Sequence, residues 1–209
     1  MNTTIVVKSW TLELLLLSSC LKEQTPIVID TDTMSENETD SSSWIEQGKI
    51  IEGKYADVDA VALDDGRYRL YFGIEPEVEG NNLEIYSATS SDGKNWGLEN
   101  GERLTNATFP SVLAVDNSWR MYFQREGNIY SAFSQDGLNF QDEELALERG
   151  SYDSVAAPTV IQQSGGNFFM VYRADINEPY SSTSFNSKTT SLWSAISSDG
   201  IHFQKESLL

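Results

Sequence analysis

Asp57 and Asp59, two carboxylates separated by one residue in Ala56-Asp57-Val58-Asp59-Ala60-Val61, are the side chains here best suited to moving protons. On an extended strand, side chains two residues apart share a face. Carboxyls held that close repel, which raises one pKa and leaves the other group ionised as a base. Thiol and metal chemistry have little to work with. Cys20 is the single cysteine and His202 the single histidine, too few for an internal disulfide or an ordinary His/Cys zinc site. No metal and no cofactor is expected. A net charge of −18 repels nucleic acid and anionic membrane surfaces.

The elements that must hold these groups repeat along the chain. Residues 85–96 (IYSATSSDGKNW) return as 129–140 (IYSAFSQDGLNF) and again as 192–203 (LWSAISSDGIHF). Each copy follows a second conserved half, in which an apolar stretch around Asp59, Ser111 or Thr159 leads to a run ending Tyr-Phe or Val-Tyr. The spacing is 52 residues from Asp59 to Ser111 and 48 from Ser111 to Thr159. Each unit divides into four short strands, A to D, with a tight turn between A and B and an Asp-Gly pair between C and D. Asp-Gly predicts a two-residue hairpin with positive φ at both positions. Four antiparallel strands per unit, repeated, make an all-β propeller of four-stranded blades. Asp92, Asp136 and Asp199 are expected to brace their turns, and the aromatic four residues on to pack between blades.

Three domains or segments follow. Residues 1–20 read as an export signal: Lys8, an apolar run at Leu12 and Leu14–Leu17 too short to span a bilayer, then Leu17-Ser18-Ser19-Cys20. That tetrapeptide resembles a bacterial lipobox, which implies lipidation of Cys20 and an exported, membrane-anchored lipoprotein in the periplasm or at the cell surface. The membrane is reached only through that anchor. Residues 21–43 are polar, acidic and rich in Ser and Thr, as a disordered tether should be. Residues 44–209 hold the propeller: an isolated strand at Trp44 resembling strand D, then three complete units. Closure usually takes about 4–8 blades, so further C-terminal blades or a partner chain are expected to complete it.

The Ser-x-Asp-Gly-x-x-Trp/Phe element is similar to the Asp-box of sialidase-type propellers. The blade pattern as a whole resembles the five-bladed glycoside hydrolases of the arabinanase/β-xylosidase and invertase types. That resemblance implies a carbohydrate ligand and carboxylates at the starts of successive A strands. Asp57 matches the general-base position, with Asp59 in the same motif. Phe109 occupies the second blade's aspartate position. The third blade has Ala156-Ala157-Pro158 where the acid glutamate would stand, and Asp153 is the nearest carboxylate. Glycoside hydrolysis needs two carboxyls, one to protonate the leaving oxygen. Arg173 resembles an arginine that faces ligand in such folds; Arg125, Phe109 and Tyr180 complete the candidate binding residues. The B-to-C loops, one acidic (Glu75, Glu77, Glu79) and one polar with Tyr180 and Phe185, suit sugars or a solvated surface. Three readings follow: a surface glycosidase, a non-catalytic glycan- or protein-binding propeller, and a degenerate propeller without a ligand.

Overall fold

A computed structural model of the chain describes residues 48–74, 83–177 and 188–205. Cys20, the tether, Trp44, the Glu75–Glu79 loop, Tyr180 and Phe185 lie outside these residues. The described residues belong to one unit, within Glu46–Leu209. They contain strands and turns and no helix.

Blade one is formed by β1 (Tyr55–Ala62), β2 (Tyr68–Ile74), β3 (Glu84–Ser90) and β4 (Gly97–Leu98), paired in that order, with β5 (Leu104–Thr105) also on β3. Its strand D is therefore broken. The Glu99 and Arg103 N–H groups still reach the Ser87 and Ile85 carbonyls, which keeps the two pieces on one edge. Blade two follows as β6 (Thr108–Val115), β7 (Ser118–Arg125), β8 (Asn128–Ser134) and β9 (Gln141–Leu147). Blade three is β10 (Ser154–Gln162), β11 (Phe168–Asn177), β12 (Lys188–Ser197) and β13 (Gln204–Lys205), again in sequence order and antiparallel. The A strands neighbour one another, β1 on β6 and β6 on β10. They are the inner strands, and the blades splay outward from them.

The C-to-D turns are built differently from a two-residue hairpin. Gly93, Gly137 and Gly200 have positive φ, whereas Asp92, Asp136 and Asp199 do not. The aspartates serve instead as acceptors inside a longer loop. Asp92 Oδ1 accepts the Lys94 and Asn95 N–H groups, and its Oδ2 accepts Asn95 Nδ2, each at 2.8 Å. Asp136 and Asp199 repeat the arrangement, with His202 Nδ1 standing where the other turns use an asparagine amide. At Asp92 these donors hold the carboxyl well below the usual range. Slight burial opposes the same effect at Asp136 and Asp199, and the donors outweigh it.

Successive blades join through the same few atoms. Tyr71 OH donates to the Gly137 carbonyl at 2.8 Å, and Tyr122 OH to the Gly200 carbonyl at 2.7 Å. Phe140 and Phe203, at the ends of the turns, meet those tyrosines edge-on with centroids 5.9 and 5.6 Å apart. The aromatic position of the repeat thus fills the gap between blades, as its periodic recurrence implies. Two further core groups match the two joints: Tyr71, Ile85, Met121, Phe123 and Ala132 between blades one and two, and Tyr122, Ile129, Met170, Tyr172 and Ala195 between two and three.

Candidate functional site

Each A strand starts with the same backbone irregularity. Asp57, Phe109 and Ala157 have φ of 56°, 55° and 48°, in the left-handed region that non-glycine residues rarely adopt. At each one the pairing to strand B slips: between Ala56 and Asp59, between Thr108 and Ser111, and between Ala156 and Thr159. Two residues face one there, which is a β-bulge. The bulge re-aims the side chain at the inner end of every blade. It also makes Ala157 the third-blade counterpart of Asp57 and Phe109, one residue on from the Ala156 position expected from the sequence.

The bulge gives Asp57 and Asp59 different tasks, against the expectation that they share a face. Asp59 Oδ2 accepts the Val112 N–H of blade two at 2.6 Å, and its Oδ1 accepts the Ala60 N–H at 2.9 Å. Burial raises its pKa and these two donors lower it. Ser111 occupies the same place in blade two, where its Oγ accepts the Val160 N–H of blade three at 3.3 Å. Asp59 is therefore a blade tie that a hydroxyl can replace. Asp59→Ser is expected to stay within about 1 kcal/mol of the parent, while Asp59→Ala leaves the Val112 N–H without its partner and costs about 1–3 kcal/mol. Urea unfolding of both variants checks this; equal losses would remove the tie from the joint.

Asp57 is half-buried. Burial pushes its pKa up, and the Arg173 guanidinium of blade three pulls it down. That same guanidinium lies 5.3 Å from the centre of the Phe109 ring of blade two. Arg173, on the second strand of blade three, thus lies by the aromatic face of blade two and acts through its charge on the carboxylate of blade one. Arg173 is held from behind by Asp175, its Nε 3.3 Å from Oδ1. Asp175 is fully buried and accepts Ser154 Oγ at 2.9 Å and Thr190 Oγ1 at 3.0 Å. Both hydroxyls come from its cross-strand neighbours in the sheet. A charged group in the interior keeps its charge only with such partners.

Sequence reasoning missed Asp175. Its signal was a charged pair, Arg173-Ala174-Asp175, closing an otherwise apolar strand. Arg125 belongs elsewhere: its guanidinium donates to the Thr105 and Asn106 carbonyls and to Glu143, and it lies over Phe123 and Tyr130. These contacts clamp the link between blades one and two. Asp153 is exposed just before β10, its N–H bonded to the Asp175 carbonyl and its own carbonyl to Arg149. Tyr180 lies outside the described residues.

The described blades share the β-propeller fold with solved structures. Similar solved structures include an α-L-arabinanase from Penicillium chrysogenum complexed with arabinobiose, at TM-score 0.51 and 18% identity over 67% of this chain and 45% of that one. A GH32 β-fructofuranosidase from Bombyx mori aligns at TM-score 0.55 and 16% identity, over 75% and 38% of the two chains. An N-acetylgalactosamine deacetylase from F. plautii, in complex with blood group B trisaccharide, aligns at 0.54 and 14%, over 73% and 52%. The chain spans about half the length of the solved structures it matches, or less. No protein-family model and no curated protein sequence matches it.

Proposed function

We propose that this chain is a carbohydrate-active propeller that holds a glycan at Asp57, Phe109 and Arg173. The observation that carries this reading is that Arg173 of blade three lies by the Phe109 ring of blade two and acts through its charge on Asp57 of blade one. A carboxylate and a guanidinium bond sugar hydroxyls, and an aromatic ring offers a face to the sugar ring. Within the described blades the reading favours binding over hydrolysis. Hydrolysis takes two carboxyls, and Phe109 and Ala157 stand where blades two and three would supply them. A glycosidase is the second reading, supported by Asp57 at the general-base position with a pKa raised by burial. Its acid would then come from outside the described residues.

Calorimetric titration with arabino-, xylo- and fructo-oligosaccharides tests both readings. Asp57→Ala and Arg173→Ala should each weaken binding about tenfold or more, the loss of one charged hydrogen bond. Turnover of aryl glycosides that vanishes in Asp57→Ala would favour the enzyme. Absence of binding to every glycan tried, with the parent chain folded, would sink the proposal. The lipobox resemblance supports placing this propeller on a membrane through a lipidated Cys20, in the periplasm or at the cell surface. Fatty-acid label that persists in a Cys20→Ala variant would refute that placement.

A further inference from the structure

We propose that the outer face of blade three docks the leading face of blade one from a second copy of this chain. The repeat shows what that outer face is missing. Ile85, Ile129 and Leu192 occupy one repeat position, opposite Gly73, Gln124 and Arg173 of their neighbouring strands. The first two are fully buried in the joints between blades, and Leu192 is 76% exposed. Ile161 and Ile196, on the same face, are 53% and 44% exposed. Where blades one and two present Arg69 with Tyr71 and Arg120 with Tyr122, blade three presents Phe169 and Val171. The polar joint chemistry has become apolar on a face that water touches, and contiguous apolar surface marks an interaction site.

The complementary half of the joint stands open on the same molecule. Pro110 and Pro158 are buried, while Val58 at their position is 62% exposed. Val112 and Val160 are 6% and 5% exposed, and their counterpart Ala60 is exposed. The N–H groups of Val112 and Val160 cross the joint to Asp59 and Ser111. The Ala60 N–H bonds to the adjacent Asp59 side chain. Exposed Thr159 is the next hydroxyl in the series Asp59, Ser111, Thr159. A second copy therefore brings a surface already shaped by this repeat to receive blade three. Two copies related by a two-fold along the propeller axis form two such joints, a closed symmetric ring of six blades. Each copy contributes one Asp57 to that ring.

Light scattering and sedimentation of the full chain test this. The parent should be a dimer, and Leu192→Asp should raise its dissociation constant at least tenfold. Because Leu192 is exposed in the single chain, the variant should stay folded with the parent's far-ultraviolet circular dichroism, and its melting point should fall only by the lost association. A Thr159→Cys chain mixed with an Ala60→Cys chain, both carrying Cys20→Ser, should give a disulfide-linked pair under mild oxidation, and neither chain alone should do so. A monomer at the highest soluble concentration overturns the proposal, as does a dimer indifferent to Leu192→Asp or cross-linking by either single variant alone. Capture of a separately produced further blade by a monomeric parent would also overturn it and assign the face to that blade.

Discussion

Gly137→Ala is expected to destabilise the protein by about 2–5 kcal/mol, while Gly93→Ala, at the same position of the preceding turn, costs about 1–2 kcal/mol. Both glycines have φ near +70°, so both alanines meet the same backbone strain. Their surroundings differ. A Cβ at Gly93 meets nothing within 4 Å, whereas one at Gly137 lies 2.5 Å from Arg69 Nη1 and 2.8 Å from Tyr71 OH. Those two atoms cannot swing aside cheaply, because each is bonded to the carbonyl of the turn itself, at Asp136 and Gly137. Gly200→Ala should fall between, since its Cβ meets the Phe168 ring at 2.9 Å. Thermal melting reads the order directly, at roughly 2–4 °C per kcal/mol for a domain of this size. Equal losses at Gly93 and Gly137 would mean that the turn of blade two does not seat against blade one.

Arg69→Met should cost about 3 kcal/mol, because it strips the partner from an ion pair held largely out of water. Arg69 Nε lies 2.9 Å from Glu99 Oε2, the two side chains being 7% and 18% exposed. Nη2 donates to Glu99 Oε1 at 3.0 Å, and Nη1 crosses the joint to the Asp136 carbonyl at 3.1 Å. Removing the cation leaves Glu99 with Ser87 Oγ as its remaining side-chain donor among these contacts. Replacing both partners, Arg69→Met with Glu99→Met, should restore much of the loss, since an apolar pair leaves no buried charge behind. Arg120→Met is the internal control. That arginine is half-exposed and reaches Ser131 Oγ at 3.3 Å, so its loss should stay within about 1 kcal/mol. Urea unfolding of these three variants beside the parent reports the comparison, and a double variant no better than Arg69→Met alone would refute the pair.

Much of the architecture was legible because it repeats. Tyr-Ser-Ala or Trp-Ser-Ala before an Asp-Gly turn, three times over, specifies a strand, a turn and a strand by local chemistry alone. The turn aspartates and the aromatics after them were assigned on that basis. The all-β fold, the antiparallel order and the joint-filling rings all follow from patterns of period two broken by glycine.

The site was legible only in part, and the reason is geometric. Asp57 and Asp59 were expected on one face because an undisturbed strand alternates, and the bulge at Asp57 breaks that alternation. Neither the bulge nor the left-handed φ is announced by Asp-Val-Asp, Phe-Pro-Ser or Ala-Pro-Thr. Pairing of each A strand with its own strand B decides it. The Asp57, Phe109 and Arg173 grouping joins residues more than fifty positions apart in every pair, and only the docking of one blade on the next links them. Asp175 likewise needs Ser154 and Thr190 from the flanking strands before its burial makes physical sense. The sequence by itself determined the blade, its turns and its ring positions, because those depend on residues a few positions apart. The tertiary structure decided which carboxylate ties blades and which feels the charge of Arg173, because a bulge and a blade joint set the direction of a side chain that local propensity leaves open.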